Sequence, residues 1–147
     1  MSHHPAPASH HDRPLEAILH LRVRYVECDP MGFLHHSHYL PFFEMGRTEL
    51  LRLHGISYRE LEEKDVLFAV TKIAVSFKRP ARYDDELELH TKAVKQTHVR
   101  IDHTYQMFNK ATRALLCTAE STIACINKKG EVQPIPDFLG GKFSAGA

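Results

Sequence analysis

The stretch ECDPMGFLHHSHYLPFFE, residues 27–44, holds the side chains best suited to chemistry. Asp29 precedes a Pro-Met-Gly turn, and a histidine-rich segment then leads into a run of helical character. An ionised carboxylate in that position can act on water or attack a carbonyl carbon. Backbone N–H groups at the start of the following helix can receive the negative charge that develops on a substrate oxygen. Base and oxyanion donor would then share one short loop. The plainer reading is a turn former, the usual role of Asp before Pro-x-Gly. His35, His36 and His38 do not make a zinc site: adjacent side chains diverge, and no Cys or carboxylate falls at ligand spacing. No metal is expected.

The elements that must position this loop are legible in the hydrophobic pattern. Five runs alternate as strands with one buried face do: His20–Cys28, Leu67–Lys78, Glu86–Lys95, Val99–Phe108 and Ala114–Asn127. Their predicted inward residues include Leu21, Val23 and Tyr25 in the first, and Leu67, Ala69, Ile73, Val75 and Phe77 in the second. From Tyr39 to His54 the spacing turns helical, with Phe42, Phe43, Gly46, Leu50 and Leu53 on one stripe and Gly55 as the stop. Ser37 and His38 are equal candidates for its cap. A second, short helix over Ser57–Lys64 opens on Ser57 with Glu60 three residues on. One long helix set apart from the strands predicts an α+β domain: an antiparallel five-stranded sheet around a central helix.

The 147 residues suit one domain, read as 15–139, between flexible tails at 1–14 and 140–147. Nineteen basic residues against eighteen acidic ones remove bulk basicity as a reason to expect nucleic acid. No run reaches the roughly 18 apolar residues of a membrane span, and the N-terminus lacks a signal-peptide core. Cys28, Cys117 and Cys125 lack metal-ligand spacing and read as reduced thiols in a cytoplasm.

The segment RVRYVECDPMGFLHHSHYLPFFEMGRTELLRLHGI resembles the first strand and central helix of the hot-dog-fold 4-hydroxybenzoyl-CoA thioesterase family, in its YbgC-like acyl-CoA thioesterase branch. KRPARYDDELEL, residues 78–89, resembles that branch's second and third strands. Arg-Val-x4-Cys-Asp-x2-Gly, with a Tyr ten residues after the Asp, carries the likeness, which covers about residues 20–128. The resemblance implies that Asp29 is the catalytic carboxylate, as nucleophile or as general base. It places the oxyanion contact on the backbone N–H of His36, supported by the turn at Gly32, and leaves the His36 ring free for a proton relay. Tyr39 would be pocket wall. Phe33 and Pro41 depart from the family pattern and bear on the shape of the acyl pocket.

A thioester has a good leaving group, so one carboxylate and one oxyanion site suffice without a cofactor; CoA is part of the substrate. Its phosphates call for local positive charge. Lys78, Arg79 and Arg82 cluster before one turn, and Lys95, His98 and Arg100 surround the next. The family holds the nucleotide near the latter, which points to Lys95, His98 and Arg100. It also implies a homo-oligomer, dimer or tetramer, with the site between subunits. Glu44, on the helix, reads as a contact to Arg47. His54, His90 and His103 read as structural. Two alternatives stand beside an acyl-CoA thioesterase. A non-catalytic acyl-CoA-binding module would normally carry an effector domain. A hot-dog dehydratase would carry a His-Phe-Pro-type motif, which is absent here.

Overall fold

The structure, a computed structural model, describes residues 16–137, so the expected tails lie outside the described residues. In chain order it contains β1 (Glu16–Arg22), α1 (Tyr39–Leu53), α2 (Tyr58–Glu63), β2 (Leu67–Phe77), β3 (Glu86–Gln96), β4 (Arg100–Asn109) and β5 (Leu115–Ile126). Two 3-10 turns, Tyr25–Glu27 and His36–His38, sit between β1 and α1. The strands form one sheet in the order β1-β3-β4-β5-β2, and every neighbouring pair is antiparallel. One face of the sheet is buried under α1. Leu87, Leu89, Thr91 and Ala93 line it from β3, and Ile101, His103, Tyr105 and Met107 from β4.

Helix α1 lies close on β3 because of Gly46. A Cβ there would fall far inside contact distance of the Thr91 hydroxyl. Phe42, Phe43 and Leu50 are buried as the stripe predicts, whereas Leu53, at the helix end, is half exposed and Leu51 takes its place in the core. His38 stands at the N-cap without a side-chain bond. Pro41 falls in the first turn, where an N–H would have no helical acceptor to lose. At the other end Gly55, at φ +77°, closes a Schellman motif: its N–H donates to Arg52 O and that of Ile56 to Leu51 O. Ser57 caps α2 by accepting from the Glu60 N–H at 3.2 Å. Among the described residues no helix is long and apolar enough to cross a membrane.

Two strand expectations need correcting. The first strand ends at Arg22, before the residue expected to close it, Cys28. Val23 leaves the β1 ladder to bond the β2–β3 connector, through Asp85 O and the Asp84 N–H. The Glu27 carboxylate then draws the Arg24 N–H into a 3-10 turn, and Tyr25 is left 80% exposed instead of inward. In β2 the register slips between Val70 and Lys72. Phe68 and Val70 therefore stand opposite the inward Cys125 and Ile123, in place of Leu67 and Ala69, while Ile73, Val75 and Phe77 keep the predicted side. No residue of β2 is fully buried.

Candidate active site

The chain between β1 and α1 folds back on itself at Cys28–Leu34, paired as an isolated bridge. Asp29 heads the loop: its carbonyl accepts from the Gly32 N–H at 2.9 Å, and its N–H donates to Phe33 O at 2.8 Å. Gly32 takes φ +80°, the left-handed position that ends a tight loop after Pro30 and Met31. Asp29 Oδ1 accepts from the N–H groups of Met31 at 2.9 Å and Phe33 at 3.2 Å. The turn-forming reading of Asp29 thus describes one carboxylate oxygen. The other, Oδ2, makes no hydrogen bond among the described residues.

A few residues on, the histidines build the entry to α1. His35 Nδ1 accepts from the Ser37 N–H at 3.2 Å and faces the Ser37 hydroxyl at 2.8 Å, so Ser37 does not cap α1. The N–H groups of Leu34, His35 and His38 donate to Ala81 O, Glu27 O and His35 O. Within residues 34–38, the His36 N–H alone has no acceptor among the described residues. The His35 and His36 rings lie 4.1 Å apart.

Asp29, His36 and Tyr39 share one open cleft of about 320 Å³, closed on its far side by the end of β2 at Phe77 and by Lys78, Arg79 and Pro80. Tyr39 is buried and meets the Phe77 ring edge-on at 4.9 Å. Burial pushes its phenol up to about 12, so it stays protonated. The loop is stitched to the β2–β3 connector through the Leu34–Ala81 hydrogen bond, the Phe33–Arg82 bridge and the Arg82 guanidinium 4.8 Å above the Phe33 ring.

The structure does not bring Lys95, His98 and Arg100 to this cleft. They surround the turn between β3 and β4, whereas Asp29 lies beyond the Glu86 end of β3. At about 3.4 Å per residue the two ends of β3 are some 34 Å apart.

Sequence reasoning missed several contacts, one of them beside the site and the others elsewhere in the fold. Glu27 is buried and accepts from Arg24 through both its N–H and its guanidinium; the (i, i+3) pairing was the available signal. Arg47 does not pair with Glu44, which is exposed. It reaches under the sheet to the Tyr105 hydroxyl at 2.9 Å, which meets Ser121 Oγ at 2.6 Å. His90, read as structural, sits between Glu88 and Glu16 on the outer face.

The sheet order, the single long helix and the acidic loop before it define a hot-dog domain, and the chain belongs to the thioesterase-like superfamily, whose family profile matches residues 23–143. Within it, the chain falls in the YbgC-like acyl-CoA thioesterase branch. It is 36% identical over 124 residues to the acyl-CoA thioester hydrolase YbgC of Escherichia coli O157:H7, covering 84% of this chain and 92% of that protein. Among solved structures it is similar to the DHNA-CoA thioesterase of Staphylococcus aureus, with TM-score 0.78 and 26% identity over 81% of this chain and 80% of the other. The hypothetical protein AQ1494 of Aquifex aeolicus superposes at TM-score 0.81 with 24% identity, over 87% and 99% of the two chains, which speaks for the fold alone.

Proposed function

We propose that the protein hydrolyses an acyl-CoA thioester to a carboxylic acid and free CoA in the Asp29 cleft. One observation carries this reading: a carboxylate pinned by one oxygen, with the other free, shares a cleft with an unbonded N–H at the entry to α1. Asp29 Oδ2 either takes the proton of an attacking water or attacks the carbonyl carbon itself. The carbonyl oxygen gains negative charge against the His36 N–H and the C–S bond breaks. On the first route the acid forms directly and the CoA thiolate takes up the proton from Asp29; on the second, CoA leaves a mixed anhydride on Asp29 that water then hydrolyses, restoring the carboxylate and passing its proton to the thiolate. Gly32 sets the height of the carboxylate, Tyr39 walls the acyl side, and the His36 ring serves as proton relay. General-base help supplies about 10²–10⁴-fold, and one oxyanion donor about 10²–10³-fold. No cofactor is required by this chemistry.

The cleft is open, and among the described residues β2 presents an unpaired backbone edge with Val70 and Phe77 about half exposed. Pairing of that edge with a second copy fits both features. Such a dimer, alone or doubled to a tetramer, could supply Lys95, His98 and Arg100 of the partner copy to the CoA phosphates. The three free thiols suit a reducing, cytoplasmic setting.

The test is thiol release from short-chain, long-chain and aromatic acyl-CoAs by the wild type and by Asp29→Asn. Asparagine keeps the Oδ1 acceptor that holds the loop, so the variant removes the chemistry and spares the turn. Turnover should fall at least 10²-fold with KM changed only a few-fold. Turnover indifferent to Asp29→Asn would sink the assignment.

A further inference from the structure

The β2–β3 connector places more positive charge on the Asp29 cleft than the described residues neutralise. Lys78 and Arg79 are exposed, yet the segment that bears them is fixed. Both of their N–H groups donate to Leu116 O, at 2.8 and 3.1 Å, and Ala81, two residues on, is buried and bonded to Leu34. Neither side chain makes a hydrogen bond or ion pair among the described residues. The Arg82 guanidinium makes no ion pair there either and rests only on the Phe33 ring.

The nearby carboxylates are engaged elsewhere. Asp84 lies 3.5 Å from Arg22, Asp85 Oδ2 accepts from the Arg82 backbone N–H at 2.9 Å, and Glu27 is held by Arg24. Among the described residues, Asp29 is thus the acid that lines the cleft beside Lys78 and Arg79, with Arg82 standing over its Phe33 wall. A cleft with such an excess draws anions, and guanidinium groups match carboxylate and phosphate oxygens in pairs.

We propose that Lys78, Arg79 and Arg82 form an anion-binding rim that holds a negatively charged group of the thioester substrate. This deepens the thioesterase reading and rests on it. Lys78 and Arg79 line the cleft with Asp29 within one chain and Arg82 lies over its Phe33 wall, so the charge the rim faces lies close to the reacting carbonyl. A carboxylate on the acyl group, a few atoms from the thioester, fits that place. The phosphates of CoA, carried away from the carbonyl by the pantetheine arm, are the other source of the same chemistry.

The experiment compares wild type, Lys78→Gln/Arg79→Gln and Arg82→Gln on glutaryl and pentanoyl thioesters, each made with CoA and with N-acetylcysteamine, which has no phosphate. Circular dichroism and melting temperature check the fold of each variant. The expected result is a preference for glutaryl over pentanoyl of ten-fold or more in kcat/KM with both thiols, largely lost in the double variant. If the double variant instead raises KM ten-fold for both CoA thioesters and for neither N-acetylcysteamine thioester, the rim stands with phosphate as its anion. Values of KM and of the glutaryl preference within two-fold of wild type throughout would overturn it. Titration calorimetry with glutarate and with free CoA reads the rim independently of turnover. Binding weakened ten-fold in the double variant supports the rim even if no thioester is cleaved, and binding indifferent to the variant overturns it.

Discussion

Glu27 sets the geometry of the acidic loop from a buried position, through its bonds to Arg24. Burial alone would raise its carboxyl pKa, but the Arg24 N–H, the Arg24 guanidinium and their charge hold it below the usual carboxylate range. A lowered pKa contributes stability that is present above the ordinary carboxyl range and is lost as pH falls through the native value. Glu27→Gln should therefore cost about 1–3 kcal/mol at neutral pH, and the difference from wild type should shrink in acid, as measured by urea unfolding. His103 works with the opposite charge type. Burial, and then the nearby Arg47, push its imidazole down to about 3, against about 6.5 in the unfolded chain. Between those values the unfolded chain binds a proton that the native one does not, so stability should fall with falling pH by on the order of 1 kcal/mol per pH unit. His103→Gln should flatten that slope in urea titrations across pH 6 to 4. A slope unchanged by the substitution would mean that another group sets the acid limit.

At the scale of elements, Gly46 fixes the distance between α1 and the sheet. Alanine is the better helix former by about 1 kcal/mol, yet the added methyl would strike Thr91 Oγ1 and crowd Leu89 at 3.1 Å. Gly46→Ala should destabilise by about 1–3 kcal/mol, and Thr91→Ala in the same chain should restore part of the loss. Thermal melts of the two single variants and the double one measure that coupling. The same scale shows what could be read from the sequence. The four later strands lie within about a residue of their expected ends, because alternation carries through runs of ten to twelve residues. The early part of β2 was misread because a bulge shifts the alternation by one residue and leaves no mark in composition. The first strand was misplaced because Arg24–Glu27 alternates like a strand, while a side chain three residues along turns it into a 3-10 helix. In the site, Asp29, Gly32, His36 and Tyr39 were legible as one local segment. The basic rim was noticed only as a run of charge, since its position depends on a contact between parts of the chain some fifty residues apart.

For the whole molecule, the exposed edge of β2 makes a prediction about assembly. Val70→Lys with Val75→Lys puts like charges on the inner side of that edge and should reduce the sedimentation mass to that of a single 16.8 kDa chain. Thiol release should fall together with the mass. A wild type that already sediments as one chain would end the dimer proposal. Within the single chain, the bond from the Leu34 N–H to Ala81 O ties the acidic loop to the β2–β3 connector. That amide is a reporter on the assembly of the cleft. Its solvent exchange requires the acid and its facing cations to part, so its protection measured by hydrogen–deuterium exchange gives the free energy of opening the cleft, separately from unfolding of the sheet. Protection at Leu34 equal to that of the β3 and β4 amides would make the cleft part of the rigid core. Faster exchange at Leu34 would make the cleft a separately opening unit, closed for part of the time by two strangers in sequence.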